Sequence, residues 1–492
     1  IADRSKVTQD SLNVTKAALV DLQQRNRTEF NSHLQNADLS SVFLVLADLS
    51  SDLIPVYCDV IAILLDSIPA QVVLTKYEHF IARVLGSDPH HSVHTLAVQQ
   101  LSRCVRDAKV LPTLIANRSL LALIIDCMKS STMHAQVKGL LLQMTEHSKE
   151  AVKTLFDAES LKMFEQVQKA GSMEKVRVFE LYCEVACQSE ENCSSMTPRL
   201  KTLIDSLRAE KSDVIVMINY VELLRTLVKK PYTLKFLLAS DGISVIRDLL
   251  LKPDNQNATL YMPEVVLFFG DFGLHSPAVL IRDFTPAVRA VLSSCRSSPW
   301  APAAIAAVGQ IARSVEGKRL LEAHLSSEMK EFMPLLDSFL DSSQRPTEYK
   351  VSALNAVTAI LEMEEFDQLD VIALTSKWFS LISANPFQLL WKCSKVPFEA
   401  ERLAGLRTLR NVALLPWGRA KLLTLAGFYE WLLDRNTEPE KAGKEAKHAI
   451  VAALLEEANS IGDATQVAGL RKFFAEGPFY SPPEVTVATR GT

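Results

Sequence analysis

The sequence has little glycine and few aromatic residues. Only 16 of its 492 residues are glycine, and Phe, Trp and Tyr together make up 7%. Architectures built from sheets and tight turns need glycine at many turn positions, so this scarcity argues against them. Hydrophobic residues nevertheless reach 48%, and most of them are aliphatic, which is a balance typical of stacked helices.

The sequence also lacks a long apolar run and a recognisable secretory signal, although it begins at Ile1 rather than Met. Its most hydrophobic region, residues 42–65, is interrupted by Asp48, Asp52 and Asp59, so we expect no membrane span. The eight cysteines are scattered through helical segments, as free thiols in a reducing compartment would be. We therefore expect a cytoplasmic protein, with the nucleus as a second compartment.

Signatures of catalysis and of nucleic-acid binding are missing as well. The 53 basic and 57 acidic residues are evenly spread and give a formal net charge of −4, whereas nucleic-acid binding needs a basic stripe. The sequence contains no phosphate-binding G-x-x-x-x-G-K-S/T, no G-x-S-x-G and no C-x-x-C. The one histidine cluster, His90, His91 and His94, has no suitably placed Cys, Asp or Glu beside it. We expect no enzyme activity, no metal and no cofactor.

What the sequence does contain is a repeated helical unit, seen most clearly at Leu237–Leu251. One helix ends near Leu238, Asp241-Gly242 breaks the chain, and a second helix places Ile243, Ile246 and Leu250 on one face. Gly242 suits a left-handed residue after a helix end. Related stretches recur with leucine in the place of Ile243, at intervals of 41 and 82 residues. Helical units repeating near forty residues are typical of armadillo and HEAT repeats.

The second helix of each unit also recurs at intervals near forty residues. Each copy begins with an apolar residue, and the position four residues later lies on the same side of the helix. The leading residues are Val93, Val137, Val176, Val214, Val265, Ile305, Val351 and Leu403. We predict an all-α, armadillo/HEAT-like α-solenoid, a curved superhelical array of about ten repeats over residues 39–475. Residues 1–38 would form an N-terminal helical cap and residues 476–492 an extended C-terminal tail.

Function is then expected to lie in the shape of the array. Stacked units rotate slightly from one to the next, so the second helices should line a concave ridge that can bind a protein partner. Any single polar residue on these helices is more simply interpreted as an ordinary solvated side chain. Most of the surface of Phe268 is expected in the core. The candidate partner-binding residues are Gln99, Arg103, Arg177, Glu184, Asn219, Glu222, Phe268, Arg407 and Asn411.

An acidic run between residues 362 and 370 allows two interpretations. Its carboxylates could meet a basic partner, but a solvated connection after a helix is the more common structure for such a run. The run comprises Glu362, Glu364, Glu365, Asp367 and Asp370.

Several separated stretches resemble one known family. They are YMPEVVLFFGDFG (261–273), SVEGKRLL (314–321), WFSLISANPFQLL (378–390), LLPWGRAKLL (414–423) and RKFFAEGPFY (471–480). Together with the weaker SDPHHSVHTLAVQQLSR (87–103), they follow one another in the order found in the 26S proteasome non-ATPase regulatory subunit 5 family. None of these stretches is a catalytic signature, so the resemblance depends on several matches together.

The resemblance implies a chaperone for assembly of the base of the proteasome regulatory particle. Members of this family hold the C-terminal domain of one AAA ATPase subunit while a module containing the largest non-ATPase base subunit forms, and they leave before the proteasome matures. We expect this chain to be a monomer on its own, with no nucleic-acid or membrane partner. The Glu476–Tyr480 segment is expected to pack Phe479 and Tyr480 against the last repeat, with partner contact as the second interpretation.

The alternative function is that of another armadillo-type adaptor, such as a transport-receptor-like scaffold. Receptors that bind extended peptides place Trp and Asn at regular intervals on the concave helices. The tryptophans here follow no repeat spacing, which counts against that alternative. They are Trp300, Trp378, Trp391, Trp417 and Trp431.

Overall fold

The computed structural model describes residues 7–87, 90–253, 257–296, 298–341, 345–363, 368–456 and 463–481. Over these ranges the chain folds into α-helices joined by short turns and a few 3₁₀ turns, with no β-strand. The helices form two compact units, which divide between Glu210 and Lys211. The spacing of the helical pattern does not predict this division.

The first unit contains thirteen α-helices in its described part. They are α1 (Gln9–Arg25), α2 (Arg27–Asn36), α3 (Ser40–Val45), α4 (Ile54–Asp66), α5 (Ala70–Leu85), α6 (His91–Arg106), α7 (Leu111–Ala116), α8 (Arg118–Asp126), α9 (His134–His147), α10 (Lys149–Leu155), α11 (Ala158–Gln168), α12 (Ser172–Gln188) and α13 (Glu190–Ala209). Helices α4, α6, α9 and α12 contact one another in that order, and α1 packs beside α4, where Lys16 binds Asp59 at 2.6 Å. A capping role for residues 1–38 stays a prediction.

The second unit contains the remaining helices of the described chain. They are α14 (Val214–Leu227), α15 (Pro231–Ala239), α16 (Gly242–Leu251), α17 (Ala258–His275), α18 (Pro277–Asp283), α19 (Thr285–Ser294), α20 (Ala301–Ile311), α21 (Val315–Leu340), α22 (Thr347–Leu361), α23 (Leu369–Ser380), α24 (Pro386–Cys393), α25 (Glu399–Leu414), α26 (Pro416–Leu423), α27 (Phe428–Leu433), α28 (Lys441–Leu455) and α29 (Ala464–Glu476). Helices α14, α17, α20, α22, α25 and α28 contact one another in that order.

We call these two consecutive series the ladder helices. Each of the eight leading residues predicted from the spacing falls in a different ladder helix, from Val93 in α6 to Leu403 in α25. The fold prediction, an all-α solenoid of armadillo/HEAT type, is confirmed. The prediction was correct because apolar residues at helical spacing mark one face of a helix, and the ladder helices bury such residues against their neighbours.

The break between α15 and α16 is where it was predicted, and Ile243, Ile246 and Leu250 are buried. The prediction of a left-handed Gly242 is wrong. Gly242 is the first residue of α16, and its N–H donates to the Ser240 hydroxyl oxygen at 3.4 Å. Among the described residues, a left-handed glycine is found instead at Gly427, with φ +78°, directly before α27.

Small residues set the spacing of three ladder helices in the second unit. A Cβ placed on Gly270 in α17 would lie 2.7 Å from the Cα of Ala307 in α20. In the same way, a Cβ on Gly309 in α20 would lie 2.8 Å from the Cα of Ala356 in α22. Real Cβ atoms do not approach a backbone that closely, so these helices depend on glycine to pack at this distance.

In the second unit, two buried cations donate to the carbonyls at the ends of ladder helices. Lys318, which is 0% exposed, donates from Nζ to the carbonyl of Arg313 at 2.6 Å and to that of Glu362 at 2.8 Å. Arg419 donates in the same way to the carbonyls of Ala413 and Leu414 at the end of α25. Both cations satisfy carbonyls that a helix end leaves unpaired. Gly317 and Lys318 therefore lie at the joint between α20 and α21.

Candidate partner-binding surface on the ladder helices

The structure separates the nine predicted partner-binding residues by exposure. Gln99, Glu222 and Arg407 are exposed on their ladder helices. A second group is half-buried and bonded within the chain, and two residues are buried. The half-buried residues are Arg103, Arg177, Glu184 and Asn219, and the buried ones are Phe268 and Asn411.

Phe268 is corrected from a candidate contact to a core residue. Its side chain is 0% exposed, and its ring packs edge-on against Phe269 at 5.4 Å and Phe272 at 6.4 Å. Helix α17 has neighbours on both sides in the ladder and further contacts with α16, α18 and α19. Helix α17 therefore buries more of its surface than one apolar face.

Arg103 and Arg177 bind the ends of neighbouring helices. Arg103 in α6 donates to the carbonyls of Leu65 at 2.8 Å and Ile68 at 2.7 Å, just where α4 ends. Arg177 in α12 donates to the carbonyls of Met128 at 3.1 Å and Lys129 at 3.0 Å, after α8. A guanidinium at a helix C-terminus satisfies free carbonyls and the negative end of the helix dipole. Both arginines thus hold the repeats together, a role that the sequence analysis missed.

Glu184 also joins two ladder helices. With Glu180 it holds the ammonium of Lys138, at 2.6 and 2.7 Å respectively, between α9 and α12. Burial alone would lower the pKa of Lys138, but hydrogen bonds and charge from the two glutamates outweigh it and raise that pKa. Lys138 therefore remains protonated at neutral pH and keeps its place between the helices.

Two ladder helices of the second unit expose side chains of opposite charge. At α14, Glu222 is exposed, and Arg225 is held between Asp271 at 2.6 Å and Glu264 at 3.1 Å. At α25, Arg407 and Arg410 are exposed. Charged side chains on separate helices can contact complementary charges of a partner.

A groove of about 390 Å³ lies between the C-terminal halves of α22 and α25. Asn411, on its floor, donates from Nδ2 to the carbonyl of Thr358 at 3.0 Å, so its amide helps to fix the groove. Arg407 and Arg410 line the groove, and neither forms a hydrogen bond or an ion pair with any residue that the structure describes. We call this the α22–α25 groove.

The acidic run after α22 is only partly described, because residues 364–367 lie outside the described ranges. Glu362 binds Arg313 at 2.8 Å, and Asp370 binds Arg319 at 2.8 Å. The two described carboxylates of the run are therefore bonded to arginines of the repeat before it. Their charges are partly neutralised within the chain.

Buried thiols and histidines serve packing. Burial raises the pKa of Cys58 and Cys393 to about 12 and that of Cys104 to about 11, which keeps these thiols protonated. His94 is buried, with Nε2 3.3 Å from the Ser87 carbonyl. Among the residues that the structure describes, no three His, Cys, Asp or Glu side chains are placed to share a metal ion.

None of the described helices combines the length and the hydrophobicity that a membrane-spanning helix requires.

The C-terminal segment is bound to the last repeat by Arg435, and the Tyr480 and Phe479 rings lie 5.5 Å from the Arg435 guanidinium and 5.8 Å from the Lys441 ammonium, respectively. Arg435 donates to the carbonyls of Phe473 at 3.1 Å and Gly477 at 2.9 Å, and it binds Glu476 at 3.3 Å. The rings of Phe479 and Tyr480 remain 54% and 41% exposed. The segment is thus held by its backbone and Glu476, while Pro482 and Pro483 lie outside the described residues.

The fold and the ladder surface together define an armadillo/HEAT-type helical-repeat protein. Among solved structures, the chain is similar to importin beta, with a TM-score of 0.54 and 12% sequence identity. That similarity covers 92% of this chain and 60% of importin beta. Since the identity is low, this likeness supports the fold alone.

The particular family follows from the sequence comparisons. The family model described as "Proteasome non-ATPase 26S subunit" matches residues 1–492, so the chain belongs to this family. The human protein named 26S proteasome non-ATPase regulatory subunit 5 is 27% identical over 417 residues, which is 82% of this chain and 81% of the relative. The Drosophila melanogaster protein of the same name is 21% identical over 328 residues, covering 66% and 64%. The family predicted from the separated stretches is confirmed.

Proposed function

We propose that this chain is a chaperone for assembly of the base of the 26S proteasome regulatory particle. It binds the C-terminal domain of one AAA ATPase subunit, in a module that also contains the largest non-ATPase base subunit, and it is released before the mature proteasome forms. The observation that carries the proposal is the family match over the whole chain, together with relatives named as a proteasome regulatory subunit. We place this activity in the cytoplasm, with the nucleus as a second compartment.

The ladder surface of the second unit supports a binding role of this kind. Glu222 and Arg407 are exposed there and form no hydrogen bond or ion pair with other described residues. Gln99 is similarly exposed on α6 in the first unit. Exposed charges that are unpaired within the chain are available to a partner and lose no internal contact when they bind it.

Release follows from competition for the same surface. A chaperone that binds the ATPase domain alone leaves when a later assembly step covers that domain more tightly. The chain then needs no energy source of its own, in agreement with the absence of a phosphate-binding motif from its sequence.

The alternative, an adaptor that binds extended peptides through rows of tryptophan, is less well supported. Trp378 is 0% exposed and donates from Nε1 to Glu322 at 3.0 Å, and Trp391 is 8% exposed. Trp417 donates to Thr375 at 3.3 Å. These three tryptophans hold helices together and offer no exposed row for a peptide.

Charge reversal on the ladder provides the test. We expect Glu222→Lys and Arg407→Glu each to weaken calorimetric binding of the partner ATPase domain about tenfold, with no change in Tm. Arg282→Glu, on α18, serves as the control, because Arg282 is exposed and pairs with its own neighbour Asp283. Arg177→Glu should instead lower the Tm, since Arg177 binds backbone carbonyls.

Unchanged affinity in both ladder variants would place the partner contact on another face of the chain.

A further inference from the structure

The α22–α25 groove contains two guanidinium groups without partners. Arg407 and Arg410 stand one turn apart on α25 and bond to no described residue, whereas several other exposed arginines of this unit form ion pairs. Arg289 binds Glu328 at 2.8 Å, and Arg319 binds Asp370 at 2.8 Å. The one carboxylate that lines the groove, Glu362, is bonded to Arg313. The groove therefore carries net positive charge.

The lining of the groove suits a side-chain carboxylate. Guanidinium groups bind carboxylates with two parallel hydrogen bonds, which gives geometric selectivity as well as strength. Leu361, Met363 and Leu414 provide an apolar wall beside the two arginines. That wall can cover the aliphatic stem of a glutamate while its carboxylate meets the guanidinium groups.

A compact, multiply charged anion fits the groove less well. The groove lies at the C-terminal ends of α22 and α25, where helix dipoles place partial negative charge. The two arginines can offset this partial negative charge when the ligand is a protein segment whose carboxylates each carry one charge and are spaced apart. A phosphate group would concentrate more charge against both helix ends and Glu362.

We propose that the α22–α25 groove binds acidic side chains of a protein partner, with Arg407 and Arg410 as the residues that recognise the carboxylates. The inference rests on the proposed function, because the partner expected there is the ATPase domain. It adds the chemistry of the contact: the segment that enters the groove carries Asp or Glu.

The first experiment tests the chemistry without the ATPase. Fluorescence anisotropy would compare a short labelled glutamate-rich peptide with the same peptide carrying glutamine in place of glutamate. We expect the full chain to prefer the glutamate peptide about tenfold, and Arg407→Gln/Arg410→Gln to remove the preference. The control Arg247→Gln/Arg282→Gln, which removes two charges on α16 and α18, should retain it.

Three results would overturn the proposal. One is equal binding of both peptides by the unmodified chain. Another is displacement of the glutamate peptide by inorganic phosphate at matched ionic strength, which would indicate a general anion site. A third is a glutamate preference seen only after Glu364→Gln/Glu365→Gln, which would assign the groove to the chain's own acidic run.

The second experiment separates this inference from the proposed function. We expect Arg407→Gln/Arg410→Gln to bind the partner ATPase domain about tenfold more weakly, with a shallower dependence on salt. Equal binding by the variant and the unmodified chain would overturn the inference and leave the proposed function standing. Binding of no ATPase domain by the unmodified chain, with the peptide preference intact, would overturn the proposed function and support the groove's carboxylate selectivity.

Discussion

Gly309→Leu is expected to lower the free energy of unfolding by about 3 kcal/mol, the upper part of the usual range for overpacking. A Cβ at this position already meets the Cα of Ala356 at 2.8 Å, so the added side chain must push α20 and α22 apart. The contact involves backbone on α22, which cannot move aside as a flexible side chain can. The measurement is urea denaturation followed by circular dichroism, with the midpoint of the transition that unfolds the second unit.

Gly139→Ala is the matched control for this prediction. Gly139 also lies inside a ladder helix, α9, but a Cβ there would meet nothing within 4 Å. Alanine should therefore stabilise the chain by about 0.5–1 kcal/mol through its higher helix propensity. If Gly309→Leu unfolded at the same urea concentration as the unmodified chain, close packing through glycine would not be what spaces these helices.

Glu438→Gln is expected to cost about 3–5 kcal/mol, because it leaves a buried arginine without its counter-charge. Arg402 in α25 donates from Nε to Glu438 at 3.1 Å, and their side chains are only 8% and 1% exposed. Arg402 also donates to the carbonyls of Val396 and Pro397, both at 3.1 Å. Glutamine keeps the size and removes only the charge, so the variant isolates the ion pair.

Glu445→Gln provides the comparison for Glu438. Glu445 pairs with Lys441 at 3.7 Å on the surface of α28, where both side chains are at least half exposed. Exposed pairs contribute about 0–1 kcal/mol, so this variant should be close to neutral. Thermal denaturation of both variants would measure the difference. Equal Tm values would mean that the Arg402 pair is not needed to hold its repeat.

The positions of the ladder helices could be predicted from the sequence, because the signal is local. Apolar residues at helical spacing identify a helix face whichever neighbour that face packs against. The breaks between helices were found for the same reason, although the conformation of Gly242 was not. The sequence predicted most of the Phe268 surface in the core, but its complete burial depends on several neighbours of α17 that are distant in sequence.

The partner-binding surface was predicted less well than the fold. Arg103 and Arg177 occupy ladder positions that resemble those of Glu222 and Arg407, yet their guanidinium groups reach carbonyls more than thirty residues away. Sequence spacing cannot show whether a long side chain finds such a partner. The unpaired state of Arg407 and Arg410, which distinguishes the α22–α25 groove, is equally a property of the folded chain.

We propose above that this chain holds one ATPase of the proteasome base. The most direct measurement is calorimetric titration of the full chain with the isolated C-terminal domain of each regulatory-particle ATPase in turn. We predict saturable one-to-one binding to a single domain and no heat of binding with the others. Binding to none of the domains would contradict the claim and leave a helical-repeat protein of the proteasome family whose partner lies elsewhere.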